Sequence, residues 1–99
     1  MYEIVVHEGA DEDLKAAAEF YESREPDLGQ QFLDELSDAF QHLTKNPFSY
    51  SILFDDYRRC LMNRFPYGVV YRVAEQQVLI FAVAHVRRRP GFWKDRTQT

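Results

Sequence analysis

The sequence predicts an α+β fold in which a hairpin of two helices packs on one face of a mainly antiparallel sheet, in the order β-α-α-β-β-β. Two consecutive apolar stripes with helical spacing occupy residues 11–45, and three strand-like segments follow them. The chain has 99 residues, of which 45% are apolar, which is enough for one core and too little for two. We therefore expect a single domain over residues 1–99, ending in a basic segment at 87–99.

One strand and one helix are predicted first. Tyr2–His7 is short and β-branched and is followed by Gly9, which is typical of a strand. Asp11 is placed to cap a helix whose first turn is acidic, as the helix dipole favours. The inward stripe of this helix consists of Leu14, Ala17, Ala18 and Tyr21. Pro26 disfavours helical geometry in the residue before it, so this helix should end near Arg24.

A second helix is predicted from Leu28 to Lys45, ended by Asn46-Pro47. Its inward stripe consists of Leu28, Phe32, Leu33, Leu36, Phe40 and Leu43. Because only a short turn separates the two stripes, the helices should form a hairpin. The acidic residues should lie mainly on its outer side.

The remainder is predicted to be an irregular stretch, Phe48–Asp56, followed by three strands. The strands are Tyr57–Met62, Tyr67–Ala74 and Val78–Val86. Residues 78–84 are apolar on both alternating faces, so the last strand should be central and covered on both sides. The predicted core includes Phe32, Leu36, Phe40, Tyr71, Leu79, Phe81 and Val83.

A three-residue polar connector at 75–77 should join the last two strands as a hairpin. The pairs that follow from this loop are Ala74 with Val78, Tyr71 with Phe81, and Tyr67 with His85. By alternation, one face of the last strand should carry Leu79, Phe81, Val83 and His85.

Composition excludes several classes of protein. The single cysteine, Cys60, cannot form an internal disulfide and is typical of a reducing compartment. The longest apolar run is far shorter than the ~20 residues of a membrane span, and no secretion signal opens the chain. Neither metal-ligand spacing nor a glycine-rich phosphate loop is present. We therefore expect a cytoplasmic protein with no metal, no cofactor and no membrane partner.

The net charge of −4 averages two opposite halves. Residues 1–57 contain three basic and fourteen acidic residues, a net charge of −11, whereas residues 58–99 contain nine basic and two acidic residues, a net charge of +7. The basic end interleaves guanidinium groups with aromatic rings, in the runs Arg87-Arg88-Arg89, Phe92-Trp93-Lys94 and Arg96. Such a pattern suits nucleic acid or an acidic protein segment, and it is also often mere solubilising charge.

His85 is the residue most suited to catalysis. It falls beside Tyr67 in the predicted register, with Arg64 and Arg88 near it in sequence. A histidine among guanidinium groups is a reasonable general acid or base for phosphodiester cleavage, with arginine stabilising charge on the phosphorus. In the alternative, structural interpretation, His85 hydrogen-bonds Tyr67 or the backbone and closes the end of the sheet.

Four motifs together resemble the RelE/ParE superfamily of type II toxin–antitoxin toxins. They are Leu28-Gly29-x-x-Phe32-Leu33, Asn46-Pro47, Arg64-Phe65-Pro66-Tyr67-x-Val69-x-Tyr71 and Ala82-x-Ala84-His85-x-x-Arg88-x-Pro90-x-x-Trp93. The resemblance covers nearly the whole chain, and the predicted order of elements matches it. It implies a small toxin, of the plasmid-stabilisation kind, encoded beside an antitoxin that wraps and neutralises it.

The superfamily has two activities, which the fold does not separate. RelE-like members cut messenger RNA on the ribosome, whereas ParE-like members poison DNA gyrase. A pI of about 5.3 and the absence of Lys and Arg from residues 48–57 favour the ParE-like branch, because ribosomal RNA demands positive charge. The alternatives are a RelE-like endoribonuclease and an inactive member that acts only as a protein-binding module.

Two sets of site residues follow. If the chain is a ribonuclease, its catalytic residues are Arg64, His85 and Arg88. The residues expected to bind the target or the antitoxin are Arg59, Tyr67, Arg87, Arg88, Arg89, Trp93, Lys94 and Arg96. The expected partners are a cognate antitoxin and DNA gyrase or, in the ribonuclease alternative, the ribosome and messenger RNA.

Overall fold

Two helices cover one face of a mixed five-stranded sheet in the computed structural model, which describes residues 1–89 and 91–98. The elements are β1 (Glu3–Val6), α1 (Glu8–Arg24), α2 (Leu28–Lys45), β2 (Ile52–Phe54), β3 (Tyr57–Leu61), β4 (Tyr67–Ala74), β5 (Gln77–His85) and a 3-10 segment, η1 (Phe92–Gln98). The strand order is β1-β5-β4-β3-β2, with β1 parallel to β5 and the other neighbours antiparallel. The predicted α+β class is confirmed.

The first helix begins earlier than predicted. His7 is its N-cap, and the imidazole Nδ1 accepts a hydrogen bond from the backbone N–H of Gly9 at 2.9 Å. The prediction that Asp11 caps this helix is therefore wrong. Asp11 lies inside the helix and pairs with Lys15 at 2.8 Å, one turn along. The predicted end at Arg24 is confirmed.

The turn between the helices depends on Glu22 and Gly29. The Glu22 carboxylate accepts from the backbone N–H groups of Asp27 (2.9 Å) and Gly29 (3.0 Å), so α1 supplies the cap that the Asp27 side chain does not. A Cβ on Gly29 would lie 2.5 Å from the carbonyl oxygen of Ala18. The helices approach closely only because this residue has no side chain. The predicted bounds of α2, Leu28 to Lys45, are confirmed.

The hairpin between β4 and β5 has a two-residue turn and a bulge. Glu75 adopts a left-handed φ of 57°, and Ala74 pairs with Gln77. The predicted pairs of Ala74 with Val78 and of Tyr71 with Phe81 are therefore wrong. Phe81 is an extra residue at the bulge, and this offset restores the predicted pairing of Tyr67 with His85.

The bulge decides which side chains face the helices. The cluster beneath the helices includes Ile80 and Val83, whereas Phe81 packs with Val70, Ala82 and Trp93 on the other face. The prediction that Leu79, Phe81, Val83 and His85 share one face is wrong, because an extra residue reverses the alternation. The seven predicted core residues are nevertheless buried or half-buried.

Two elements were absent from the predicted order. Ile52–Phe54, predicted to be irregular, forms the short edge strand β2. The segment after residue 90 turns back as η1 and packs against β5, so the central strand is covered on both faces, as predicted. Among the described residues, no helix is long and apolar enough to cross a membrane.

Candidate binding site at the end of the central strand

An ion pair closes the edge of β5 where β1 ends. Val6 is the last residue of β1 and pairs with Ile80, so the next backbone groups of β5 need other partners. The Asp13 carboxylate accepts from the Val83 N–H at 3.1 Å, and the Arg96 guanidinium donates to the Phe81 carbonyl at 2.9 Å. The two side chains also pair with each other, at 2.8 and 3.2 Å. This contact fastens η1 to both α1 and β5.

The position of Arg96 also explains Gly9. A Cβ at residue 9 would lie 2.4 Å from the Arg96 Nε, so the guanidinium rests directly on the first turn of α1. Arg96 was predicted to bind a partner. Its guanidinium is bonded within the fold to Asp13 and Phe81, and its side chain is 21% exposed.

The aromatic rings of the C-terminal segment are seated on the second face of the sheet. Trp93 is 4% exposed, while Phe92 lies under two guanidinium groups, 3.8 Å from that of Arg88 and 5.1 Å from that of Arg96. The ammonium of Lys94 lies 4.1 Å from the centre of the Phe54 ring. Trp93 therefore packs its ring within the fold, on the face of the sheet away from the helices.

His85 hydrogen-bonds the backbone, as the alternative, structural interpretation of this residue predicted. The imidazole Nδ1 accepts a hydrogen bond from the backbone N–H of Arg87 at 3.1 Å. The His85 carbonyl accepts one from the backbone N–H of Arg88 at 2.9 Å. The ring also meets Tyr67 edge to face, with centroids 5.4 Å apart. These contacts close the end of β5 and fix the turn that presents the three arginines.

Two cavities meet at His85 and Arg88. The first has a volume of about 60 Å³ and lies on the face covered by η1. The residues that line it are Leu53, Arg59, Gly68, Val70, Ala84, His85, Val86, Arg88, Phe92 and Trp93. The second, of about 250 Å³, lies between α1 and β5, where Phe20, Tyr67 and Asp13 also line it.

Arg64 lies in a different cleft. Its guanidinium donates to the Gln31 side chain at 2.6 Å, and its backbone N–H donates to the Glu35 carboxylate. Asp34 and Asp38 line the same shallow cleft against α2. Arg64 is not among the residues that line either cavity at His85, so only two of the three predicted catalytic residues share a site.

The other predicted binding residues differ in exposure. Arg87, Arg88, Arg89 and Lys94 are exposed. Arg59 is half-buried, with its stem over Gly68, where a Cβ would meet it at 2.9 Å. Tyr67 is half-buried among Tyr21, Phe32 and Phe65. Burial raises the pKa of the Tyr67 phenol, and nearby Asp13 raises it further.

Cys60 is confirmed as a packing residue. It is 3% exposed in the cluster beneath the helices, and burial raises the pKa of its thiol. A buried thiol with a raised pKa is a poor nucleophile.

Sequence reasoning missed the part that Asp13, Gly9 and Gly68 take in this region. Asp13 was assigned only to the acidic first turn of a helix, and its true partners lie about 70 and 83 positions away. The cue for these contacts in the sequence was weak. It consisted of two glycines, Gly9 and Gly68, each of which lies against an arginine side chain in the fold.

Comparison with known proteins identifies the class. The model of the family described as "ParE toxin of type II toxin-antitoxin system, parDE" matches residues 4–90. Toxin ParE2 of Mycobacterium tuberculosis, in strains CDC 1551 / Oshkosh and ATCC 25618 / H37Rv, is 30% identical over 87 residues, which cover 87% of this chain and 83% of the relative. A structure of the chromosomal ParDE toxin–antitoxin system from P. aeruginosa shares the fold, with a TM-score of 0.63 at 15% identity over 86% of this chain and 96% of that one.

The fold and the match over most of the chain define a toxin of a type II toxin–antitoxin system. The chain belongs to the ParE toxin family. Membership of that family implies an antitoxin partner.

Proposed function

We propose that this toxin acts in the cytoplasm by poisoning DNA gyrase through its basic end, and that it cleaves no nucleic acid itself. The observation that carries this proposal is the position of Arg64. A phosphodiester-cleaving site would need Arg64, His85 and Arg88 around one phosphate. Arg64 is instead bonded to Gln31 in a cleft bordered by carboxylates, where a phosphate would be repelled.

The charge distribution supports the same proposal. The helical half carries a net charge of −11, which opposes binding to ribosomal RNA. Arg87 and Arg89, by contrast, are exposed in the turn after β5. A short basic projection on an otherwise acidic protein suits a local contact with one acidic protein surface.

Supercoiling by purified gyrase tests the proposal. We expect the toxin to inhibit supercoiling, and we expect a His85→Asn variant, whose amide oxygen can still accept from the Arg87 N–H, to inhibit equally. An Arg87→Glu/Arg89→Glu variant should lose at least tenfold in potency. Arg24→Glu/Lys45→Glu, at the exposed ends of α1 and α2, is the control matched for the change of charge and should keep full potency. Point variants are preferable to removal of residues 87–99, because that deletion also removes Trp93 and Arg96 and uncovers the second face of the sheet.

Expression in bacteria provides the second test. The chain alone should arrest growth, and the small protein encoded beside it should restore growth. Messenger cleavage on programmed ribosomes that disappears in His85→Ala would overturn the gyrase proposal in favour of a ribonuclease, because a general acid or base typically contributes about 10²–10⁴-fold in rate.

A further inference from the structure

The indole N–H of Trp93 is a buried hydrogen-bond donor without an acceptor among the described residues. Trp93 is 4% exposed, so solvent does not replace the missing partner. Native proteins rarely leave a buried donor unpaired, and each exception calls for a specific reason. A donor kept for a ligand that brings its own acceptor is such a reason.

The surroundings of Trp93 supply more donors and no acidic group. Trp93 lines the cavity of about 60 Å³ together with Arg59, His85 and Arg88, and the described residues that line this cavity include no Asp or Glu. The Arg88 guanidinium stacks on the Phe92 ring at 3.8 Å, which leaves the N–H groups on its edge able to donate. The cavity is therefore suited to a ligand that only accepts hydrogen bonds.

His85 adds a donor of defined tautomer. Its Nδ1 accepts from the N–H of Arg87, so the neutral ring carries its proton on Nε2. Residues that carry an indole, an imidazole and two guanidinium groups thus line one small cavity, where an oxyanion can accept from several of them at once.

The size and lining of the cavity select the kind of oxyanion. A single water needs about 10–15 Å³. A cavity of about 60 Å³ holds a group of a few atoms but no nucleotide backbone, which requires an open groove. Leu53, Val70 and Phe92 also line it and suit the methylene stem of a side chain. An adjoining cavity at Trp93 and Lys94, of about 230 Å³, provides space for the chain that carries this stem.

We propose that this cavity binds the carboxylate of an Asp or Glu side chain from the antitoxin. The proposal rests on the antitoxin partnership stated above. Charge complementarity selects an acidic segment for this end of the toxin: residues 58–99 carry a net charge of +7, whereas the remainder carries −11 and would repel it. The carboxylate is held between Arg59 and Arg88, and a small side-chain shift on binding lets it accept from the Trp93 indole.

Trp93 provides the test, because it is the only tryptophan and gives one indole signal in a ¹H–¹⁵N spectrum. Propionate, which represents a Glu side chain, is titrated into the free toxin at constant ionic strength. We expect a saturable downfield shift of the indole proton, with dimethyl phosphate at least tenfold weaker. Arg59→Gln and Arg88→Gln should each weaken propionate binding about tenfold, and Arg24→Gln, a matched loss of charge on α1, should leave it unchanged.

Three results of this titration would overturn the proposal. The first is an indole signal that does not shift when propionate is added. The second is an indole signal that shifts equally with dimethyl phosphate. The third is propionate binding that is unchanged in both Arg59→Gln and Arg88→Gln. The folded state of each variant is checked by the dispersion of its amide spectrum. All of these measurements use the toxin alone and do not depend on its cellular target.

The complex with the neighbouring gene product tests whether the antitoxin supplies the carboxylate that occupies the cavity. In that complex the indole signal should already be shifted downfield and should no longer respond to propionate. If the complex forms and the signal still titrates, the carboxylate proposal fails while the toxin–antitoxin function stands. If the two proteins do not associate, both fail.

Discussion

Asp13 and Arg96, separated by 83 positions in the sequence, form a two-point ion pair that closes the edge of the central strand. The carboxylate also accepts from the Val83 N–H, and the guanidinium also donates to the Phe81 carbonyl. One pair of side chains therefore replaces the strand partner that β1 no longer supplies. It also joins the C-terminal segment to the first helix.

Asp13→Ala should destabilise the fold. Removal of the carboxylate leaves the Val83 N–H without its acceptor and the partly buried Arg96 without its counter-ion, a cost of about 2–4 kcal/mol for a pair with 11% and 21% exposure. Urea denaturation measures this free energy. The control is Asp11→Ala, whose pair with Lys15 is exposed to solvent and should contribute little. Equal losses in both variants would show that the Asp13 contact adds nothing specific.

Gly29→Ala should separate the two helices. The new Cβ would lie 2.5 Å from the Ala18 carbonyl oxygen, and backbone cannot move aside as a flexible side chain can. We expect a loss of about 1–3 kcal/mol in the free energy of unfolding, although alanine is the better helix former. Ser37→Ala, at an exposed position of the same helix, should be neutral or slightly stabilising. Unchanged stability in Gly29→Ala would mean that the helices adjust without cost.

Phe81→Ala should loosen the C-terminal segment. Phe81 packs with Trp93 on the face away from the helices, so its truncation leaves a cavity there and should cost about 3–5 kcal/mol. The fluorescence of Trp93 should shift to longer wavelength as its surroundings become wetter. Phe20→Ala, at a site 48% exposed, should change stability by less than about 0.5 kcal/mol. If Trp93 emission in Phe81→Ala stays the same, the two rings do not share one cluster.

Alkaline pH should destabilise the protein through buried phenols. Burial raises the pKa of Tyr50 to about 12, and burial raises the pKa of Tyr71 well above its usual value. An unfolded tyrosine has a pKa near 10. Above that pH the unfolded chain therefore binds fewer protons than the folded one, and stability falls.

The loss of stability expected from Tyr50 begins near pH 10 and continues until the pH passes the pKa of about 12 that this residue has in the folded protein. The midpoints of urea denaturation at pH 9, 10 and 11 measure how steeply stability falls with pH. Tyr50→Phe should make that slope shallower because the residue no longer titrates. The Tyr71 hydroxyl donates to the Pro47 carbonyl at 2.6 Å, so Tyr71→Phe should also lower stability at neutral pH, by about 1 kcal/mol. A slope that is identical in the wild type and in Tyr50→Phe would contradict this assignment.

The sequence by itself determined the parts that depend on local periodicity. The stripe from Leu28 to Leu43 repeats with the helical period and is buried or half-buried along its length, because one face of a helix is set by spacing alone. The doubly apolar run of the last strand likewise indicated its central place between β1 and β4. The motifs that indicated the family are also short stretches of sequence, although one of them contains Gly29, where a Cβ would meet the Ala18 carbonyl oxygen of the other helix.

Only the tertiary structure decided which face each side chain of β5 takes and how the site is built. One extra residue at Phe81 reverses the alternation that a pattern of period two assumes, and no local propensity marks that position. The contact of Asp13 with Arg96, the burial of Trp93 and the engagement of Arg64 by Gln31 each join residues far apart in the chain. Such contacts are chosen by the packing of whole elements, because that packing determines which charged and aromatic side chains meet and which remain exposed.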